Sequence, residues 1–480
     1  MAEYAQQGMN VRNCGRCVIT ALSDAVLRSI FYVRGNVMEQ DMTKGSPFRL
    51  IIRFMIPIIL GNIFQMLYNV MDTVIVGRFV GVQALAAVGA TGIISFLIIG
   101  FMQGLALGFT VLTSQRFGAG DEEGVKKSVG NSYLLTAVMV VIMTAGSVAI
   151  MEWLLTVMQT PADIFEMSRT YITIICLGMG FNILYNLLSA QLRAVGNSKT
   201  PLYFLVIAAV LNIVLDLVLI IFFDMGVAGA ALATIASQGV SGFLCLLYII
   251  KKVPALRIRM CHLKPDTECI KSQLSLGIPM ALQCSITAIG AIMVQTALNM
   301  LGSTVVAAYT VAGKVEQLAT QALTALGATI GTFTAQNFGI KNFKRIRRGA
   351  LIAFRIAAVY SVAALIVLEL ALPWLVGMFV TGEIGEVVQY VRIYVTICGS
   401  CFLPLAMIYI YRNAMQGCGH GFIPMMGGVV ELVCRAIVAV IAAWFSSYAG
   451  VCCANAGAWL GTGFFIWIFY RRMMKKLEKE

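Results

Sequence analysis

Three side chains that could bind a cation or a proton stand inside long apolar runs. Asn212 and Asp216 lie four residues apart in the run 202–223, so on a helix they share one face. Asp72 stands in a second run, 54–76. A carboxylate in so apolar a segment is costly, and such groups usually face a protein interior and handle ions or protons. The spacing therefore predicts an ion- or proton-binding site inside a membrane protein.

The composition indicates that most of the chain is surrounded by lipid. Of the 480 residues, 59% are hydrophobic and only 12% are charged, and the mean hydropathy is +0.86. Soluble proteins carry about twice as much charge. The net charge of +13 is concentrated in short connecting segments, which is typical of membrane orientation signals and not of a nucleic-acid surface. We expect membrane lipid as a partner and no nucleic acid.

Apolar runs of about twenty residues, each long enough to cross a bilayer, recur along the chain. They predict an all-α polytopic membrane protein with twelve transmembrane helices. Basic residues gather in alternate connections, so the positive-inside rule predicts a multi-pass protein of the cytoplasmic membrane with both termini in the cytoplasm. The predicted spans are 52–76, 86–112, 129–151, 170–192, 202–223, 227–250, 273–299, 304–333, 350–373, 388–411, 425–446 and 451–470.

The two halves of the chain repeat the same landmarks. Pro57 precedes a Gln-Arg-Phe-Gly segment at 115–118, and Pro279 precedes Gln-Asn-Phe-Gly at 336–339, at nearly the same spacing. Because each half has six spans, an even number, both halves enter the membrane from the same side and the repeats are parallel. In transporters built from parallel repeats, substrate sites lie near mid-membrane. The predicted domains are a polar amino-terminal extension (1–47), an amino-terminal six-helix lobe (48–250), a cytoplasmic linker (251–272), a carboxy-terminal six-helix lobe (273–470) and a basic cytoplasmic tail (471–480).

The amino-terminal extension does not contain a convincing span. Its apolar stretch 17–33 is interrupted by charges and is too short to cross a bilayer. It is either a surface amphipathic segment or an extension upstream of a true start at Met38, and we favour the second interpretation.

The residues that could carry enzyme chemistry are sparse. The thirteen cysteines are scattered through the chain, and the close pairs Cys14 with Cys17 and Cys452 with Cys453 have no partner pair at zinc spacing, so we expect neither disulfides nor a resident metal site. His262 and His420 fall in expected loops, and no phosphate-binding loop of the GxxxxGK[ST] form is present. We therefore predict that the protein is not an enzyme and needs no cofactor.

The order and spacing of several motifs resemble those of the multidrug and toxic compound extrusion (MATE) family, in its prokaryotic DinF-like branch. The resemblance implies two six-helix lobes arranged as a V, and a monomer that exports organic cations in exchange for inward sodium ions or protons. The motifs that carry it are Pro57, the segment 69–73 (NVMDT), Gly77, 115–121 (QRFGAGD), 193–197 (RAVGN), Pro201, 211–216 (LNIVLD) and 312–317 (AGKVEQ).

The resemblance also assigns a cation-coupling site to Asp72, Asn212, Asp216 and Thr234, with Asn186 close by. Two carboxylates in a low dielectric cannot both stay ionised comfortably, so the pair could exchange a proton for a cation. Carboxylate, amide and hydroxyl oxygens are also ligands that Na⁺ accepts.

Other polar residues lie outside this set. Glu316, Lys314 and Gln65 are candidates for substrate contact or gating, and for the first two we favour a helix-packing or gating role over substrate contact. We expect Glu431 and Arg435 to form an intrahelical ion pair, because they are four residues apart. Arg193 is expected at the membrane interface. The NorM branch of the family has a glutamate shortly after the proline of span seven, but 280–287 holds no acid, so the resemblance does not extend to that second coupling site.

Three alternatives remain open from the sequence alone. A flippase or exporter of a lipid-linked or other specific substrate would share the architecture, although the spans show no cluster of arginines for a pyrophosphate. A membrane-embedded enzyme would need a nucleophile with a base inside the spans. A channel would conduct without stoichiometric exchange.

Overall fold

A computed structural model describes residues 40–299, 301–377, 385–445 and 447–479. In these ranges the chain is almost entirely helical and contains no strand. The first 39 residues, with the proposed start at Met38, lie outside the described part. The helices are α1 (Pro47–Ile75), α2 (Val82–Gly118), α3 (Glu122–Val157), α4 (Ala162–Leu177), α5 (Met179–Ala194), α6 (Lys199–Leu217), α7 (Gly226–Lys252), α8 (Thr267–Asn299), α9 (Ser303–Gly339), α10 (Phe343–Gly377), α11 (Gly385–Ser400), α12 (Phe402–Gly417), α13 (Phe422–Trp444) and α14 (Tyr448–Leu477).

Helices α1–α7 and α8–α14 form the repeat that the sequence predicted. Proline lies inside both α1 and α8, and α2 and α9 each have 37 residues. Helices α4, α5, α11 and α12 have 16 residues each. Gly196 and Gly419, at equivalent turns, both have a φ of 87°, in the left-handed region that favours glycine.

Two of the predicted spans are bent pairs of helices. The span predicted at 170–192 consists of α4 and α5, which meet at 47°, and the span at 388–411 consists of α11 and α12, which meet at 46°. At the first bend, a Cβ on Gly178 would lie 2.2 Å from the side chain of Ile235. The bend therefore depends on glycine to let α7 approach.

Among the described residues, nine helices are long and apolar enough to cross a membrane, and eleven spans result if each bent pair counts as one. The remaining predicted span, 304–333, corresponds to α9, which is continuous over 37 residues but less apolar than the other spans. At 1.5 Å per residue it is about 55 Å long, more than a bilayer core requires. Many of its polar residues, such as Thr320, Thr329 and Gln336, are buried, since α9 packs on α12, α2, α1, α10 and α11.

The two halves are interlocked through their first helices. Ile51, Phe54 and Ile58 at the start of α1 belong to a buried cluster formed mainly by the second half. In turn, α8 packs along α2, where a Cβ on Gly108 would lie 2.4 Å from the Cα of Gly277. Small residues thus allow the two backbones to touch, as is common between membrane helices.

The halves are fastened to each other at the end of the molecule where α2 and α9 terminate, which we name the closed end. There Gln115 Nε2 donates to the Gly417 carbonyl at 2.8 Å, and Gln336 Nε2 donates to the Ala194 carbonyl at 2.9 Å. Gln115 and Gln336 are equivalent positions of the repeat, so the two bonds form a pseudo-symmetric latch.

The backbones at the closed end are in direct contact. A Cβ on Gly118 would lie 2.0 Å from the Gln336 carbonyl oxygen, and one on Gly339 would lie 2.0 Å from the Gln115 carbonyl oxygen. The segment 40–46 crosses the same place, where Met42 N donates to Gln336 Oε1 at 2.8 Å. Glycine at both positions is therefore what lets the halves meet.

Candidate functional site

Two buried carboxyl groups meet where α1 and α6 pack together. Asp72 is 8% exposed and Asp216 is fully buried, and the two carboxyl groups lie near each other. Each acid is followed within a few residues by a π-helical turn, Val76–Val80 after α1 and Val218–Phe222 after α6. Such turns are rare and are frequently found at functional sites.

Several polar atoms of this pair have no hydrogen-bond partner among the described residues. They are Asp72 Oδ1, both carboxyl oxygens of Asp216, and both Oδ1 and Nδ2 of Asn212, which is also fully buried. Buried polar atoms are nearly always paired, because an unpaired one costs about 1–3 kcal/mol and a charged one more. These oxygens are therefore free to take a proton or to coordinate a hard cation such as Na⁺.

Asp72 lines a cavity of about 300 Å³ within the first half, which we name the acid cavity. Gln65 and Thr234, both expected from the sequence to belong to the functional site, line it as well. Asn212 and Asp216 lie on α6 and do not line it, so Asp72 is the carboxylate that stands between the cavity and the buried second acid. The wall of the acid cavity is formed by five helices, α1, α2, α4, α5 and α7.

Two tyrosines that the sequence analysis did not single out also face the acid pair. Tyr68 and Tyr171 both line the acid cavity, and both lie near Asp72 and Asp216. The Tyr68 hydroxyl is buried without a hydrogen-bond partner among the described residues. Tyr68 lies four residues before Asp72, one helical turn away, so its spacing could have revealed it.

Asn186 is near the site but belongs to a neighbouring cavity. Its Nδ2 donates to the Asn182 backbone carbonyl and to Asn182 Oδ1, both at 2.9 Å, and Asn182 lines the acid cavity. Asn186 itself lines a second space of about 170 Å³, the middle cavity. It is therefore placed behind the coupling residues.

Among the described residues, three interior cavities lie in sequence towards the closed end. Gln65 and Gln103 line both the acid cavity and the middle cavity. Leu107 and Arg193 line both the middle cavity and a third space of about 100 Å³, the interface cavity, whose wall comes from both halves. The interface cavity also borders Gly417, so the row ends at the latch.

Arg193 does not occupy the membrane-interface position expected from the sequence. Its side chain is half-buried between the middle and interface cavities. The end of α5 is enclosed at this point by the second half of the chain, so the arginine faces inner cavities. That prediction was wrong because the sequence does not reveal that the two halves close over this helix end.

The candidates in the second half lie apart from the acid cavity. Glu316 accepts a hydrogen bond from the Tyr394 hydroxyl, and Asn455 Nδ2 donates to that hydroxyl at 3.2 Å and to the Tyr309 hydroxyl at 3.1 Å. This network joins α9, α11 and α14. Lys314 is exposed and does not face Glu316. The arrangement favours a helix-packing role for Glu316.

Glu431 and Arg435 form the intrahelical ion pair that their spacing predicted. Arg435 Nη2 lies 2.7 Å from Glu431 Oε1, and the residues are 6% and 7% exposed respectively. A buried pair contributes little net stability, but removing one partner leaves an uncompensated charge. This pair therefore offers a clear test of buried electrostatics in the second half.

Arg435→Met is expected to lower the free energy of unfolding by about 3–5 kcal/mol, because Glu431 would remain buried without its partner. The double variant Glu431→Leu/Arg435→Met should recover most of that loss. Denaturant unfolding of the purified proteins in detergent measures both. Additive losses in the double variant would contradict this account.

The described residues contain no group of three or more His, Cys, Asp or Glu side chains placed to hold a metal ion.

Comparison with known proteins identifies the family. The family model described as MatE matches residues 57–218 and 278–441, one stretch in each half. Probable multidrug resistance protein YpnP of Bacillus subtilis (strain 168) is 33% identical over 308 residues, covering 64% of this chain and 68% of that protein. YoeA of the same organism, also named a probable multidrug resistance protein, is 32% identical over 320 residues, covering 65% and 69%.

The fold also matches solved structures. A structure described as an outward-facing conformation of a multidrug resistance MATE family transporter superposes with a TM-score of 0.86 at 22% identity, covering 92% of this chain and 98% of that one. The repeated helices, the bent spans and the matched segments in both halves agree with one another. The chain therefore belongs to the multidrug and toxic compound extrusion family of membrane transporters.

Proposed function

We propose that the chain is a secondary antiporter that exports organic cations, including several chemically different drugs, in exchange for inward Na⁺ or H⁺. The observation that carries the proposal is the acid pair: two carboxyl groups side by side, with unpaired oxygens, next to a cavity. A transported ion can shift a two-state protein only by binding one state better than the other. Protonation or coordination of Asp72 and Asp216 supplies that difference.

The substrate class in this proposal follows from the relatives and from the cavities. YpnP and YoeA carry the name multidrug resistance protein, and membership of their family supports export of small molecules. Asp72 gives the acid cavity a carboxylate that attracts a cation, while Phe96, Ile99 and Met179 give it apolar surface. A cavity with one acid and mixed apolar walls suits flat organic cations better than anions.

The proposed cycle uses the two six-helix lobes, 48–250 and 273–470, as bodies that rock against each other. The protein acts as a monomer in the cytoplasmic membrane, with the closed end and both termini on the cytoplasmic side. In the described state the latch holds the cytoplasmic side shut. Substrate enters from the cytoplasm when the latch opens, and ion binding at the acid pair then returns the protein to the state that releases substrate outside.

Gradient-driven transport by the purified protein tests this proposal. Ethidium movement in proteoliposomes would be followed under an imposed Na⁺ gradient, an imposed pH gradient, or neither. We expect ethidium to accumulate against its own gradient under one of the two. The gradient that supports accumulation identifies the coupling ion, because a secondary transporter is driven by that ion moving down its electrochemical gradient.

Asp72→Asn is the matched test of the site, since asparagine keeps the size of the side chain and removes its charge. We expect accumulation to fall to the level of protein-free vesicles. Asp163→Asn, on the exposed start of α4, is the control and should transport normally. Ethidium transport that persists in Asp72→Asn would exclude this acid as the coupling group. Transport of a labelled lipid but not of ethidium would favour the flippase alternative.

A further inference from the structure

A basic groove of about 900 Å³ opens on the outside of the second half, next to the closed end. It is formed by the turn after α9, the first turns of α10 and the end of α14. Lys341, Lys344 and Arg348 line it with exposed side chains, and no carboxylate forms an ion pair with them in the described ranges. The one acid in its wall, Glu478, is 3.5 Å from Arg347.

The equivalent turn of the first half has the opposite character. The segment 339–348 carries five basic residues and no acid, whereas 118–127 carries three acids and two lysines. Both segments begin at the glycine of a Phe-Gly pair, and they lead into the equivalent helices α10 (second half) and α3 (first half). The turn itself therefore does not require basic residues, and their concentration in the second half needs another reason.

The two halves also differ in what covers the first turns of these helices. In the first half the linker lies on α3: a Cβ on Gly130 would be 2.1 Å from the His262 carbonyl oxygen, and Asp266 N donates to Asn131 Oδ1 at 2.9 Å. The equivalent of Gly130 on α10 is Leu351, which is 47% exposed and lines the groove. Among the described residues, the second half thus leaves open the surface that the linker covers in the first.

The outer face of α10 continues from the groove as a stripe with a polar and an apolar part. Lys344, Arg348 and Arg355 are exposed at helical spacing on one face, close to the end of the membrane span. Further along the same face the exposed residues are all apolar: Val359 (74%), Val362 (62%), Ile366 (53%) and Leu370 (79%). Cations followed by an apolar stripe match the headgroup and acyl chains of one phospholipid.

We propose that this groove binds an anionic phospholipid of the leaflet at the closed end. The headgroup phosphate lies against Lys344 and Arg348, with Lys341 at the outer rim, and the acyl chains lie along the apolar stripe of α10. Basic pockets at the membrane surface bind anionic headgroups in this way. Arg345 does not take part, because its guanidinium already donates to the Gly45 and Met42 carbonyls. A lipid held here would lie beside the segment 40–46 that crosses the latch.

Native mass spectrometry of the full-length protein with phosphatidylglycerol or phosphatidylcholine tests the proposal. The wild type should retain phosphatidylglycerol preferentially. The variant Lys341→Gln/Lys344→Gln/Arg348→Gln should lose that preference, with at least about tenfold weaker binding, since one cation near an anionic surface contributes roughly fivefold in affinity. The single variant Lys344→Gln, at an exposed position, should show a smaller loss in the same direction.

The matched control is Lys251→Gln/Lys252→Gln/Lys271→Gln, which removes three exposed cations from another connection predicted on the same side of the membrane. It should bind phosphatidylglycerol like the wild type. An equal loss in the control would mean that total charge, not the groove, attracts the lipid, and would overturn the proposal. Displacement of the lipid by millimolar inorganic phosphate would also overturn the proposal, because it would indicate a site for a soluble anion.

Discussion

Replacing Asp216 by asparagine is expected to make the folded protein more stable while it abolishes ion-coupled transport. Asp216 is fully buried, and neither of its carboxyl oxygens has a hydrogen-bond partner among the described residues. Asparagine keeps unpaired polar atoms at this position but removes one of two neighbouring buried negative charges, so where both acids are ionised the free energy of unfolding should rise by about 1–3 kcal/mol. The same change removes the group that would bind the coupling ion. Thermal unfolding in detergent and ethidium transport in proteoliposomes measure the two effects.

The opposite signs of these effects make the prediction specific. A residue that only holds helices together would lose stability and activity together when it is replaced. Asp163→Asn is again the control, because Asp163 is exposed at the start of α4 and should change neither quantity. If Asp216→Asn lowered the unfolding temperature, the carboxylate would be a structural tie, which is the alternative reading of any buried acid. If transport survived, coupling would have to depend on another group.

The course of the helices could be predicted from apolar runs because the bilayer sets their length. Every predicted span coincides with a described helix or with a bent pair of helices. The bends at Gly178 and Cys401 could not be predicted, since both spans appear as continuous apolar sequence. The π-helical turns after Asp72 and Asp216 leave no signal in a single sequence either, because they depend on how neighbouring helices pack.

The arrangement of the candidate site was predictable only in part, for a similar reason. Asp72 and Asp216 stand out in the sequence because a charge is costly inside an apolar run. Which helices face which cavity depends on tertiary packing. Arg193 was therefore misplaced at the membrane surface, and Tyr171 was passed over, since a tyrosine near a span end is ordinarily an interfacial residue.

The proposed cycle requires the closed end to open although the acid pair is far from it. Asp72 lies 25 residues along α1 from Pro47, which corresponds to about 38 Å of helix. The row of three cavities joins the two regions, and the latch marks its last step. Coupling over such a distance needs an element with two discrete arrangements, and the contact between the two halves at the closed end is the candidate.

Adding a methyl group at Gly118 should therefore shift the protein towards a state with this end open. The Cβ of Gly118→Ala would lie 2.0 Å from the Gln336 carbonyl oxygen, so the backbones must separate by about 1 Å before the contact becomes tolerable. Overpacking of this kind costs about 1–3 kcal/mol, which would raise the open population roughly 5- to 150-fold. Cys418, next to the latch and only 2% exposed, should then react faster with a maleimide, as measured by site-resolved mass spectrometry.

Gly339→Ala should act in the same way, because its Cβ would lie 2.0 Å from the Gln115 carbonyl oxygen. The matched controls are on the same two helices: a Cβ on Gly89 of α2 or Gly313 of α9 meets nothing within 4 Å. Alanine at those positions should leave Cys418 protected and could add up to about 1 kcal/mol of helix stability. Unchanged labelling of Cys418 in both closed-end variants would mean that the contact yields without opening. In that case the latch would be a consequence of the closed state and not one of the interactions that maintain it.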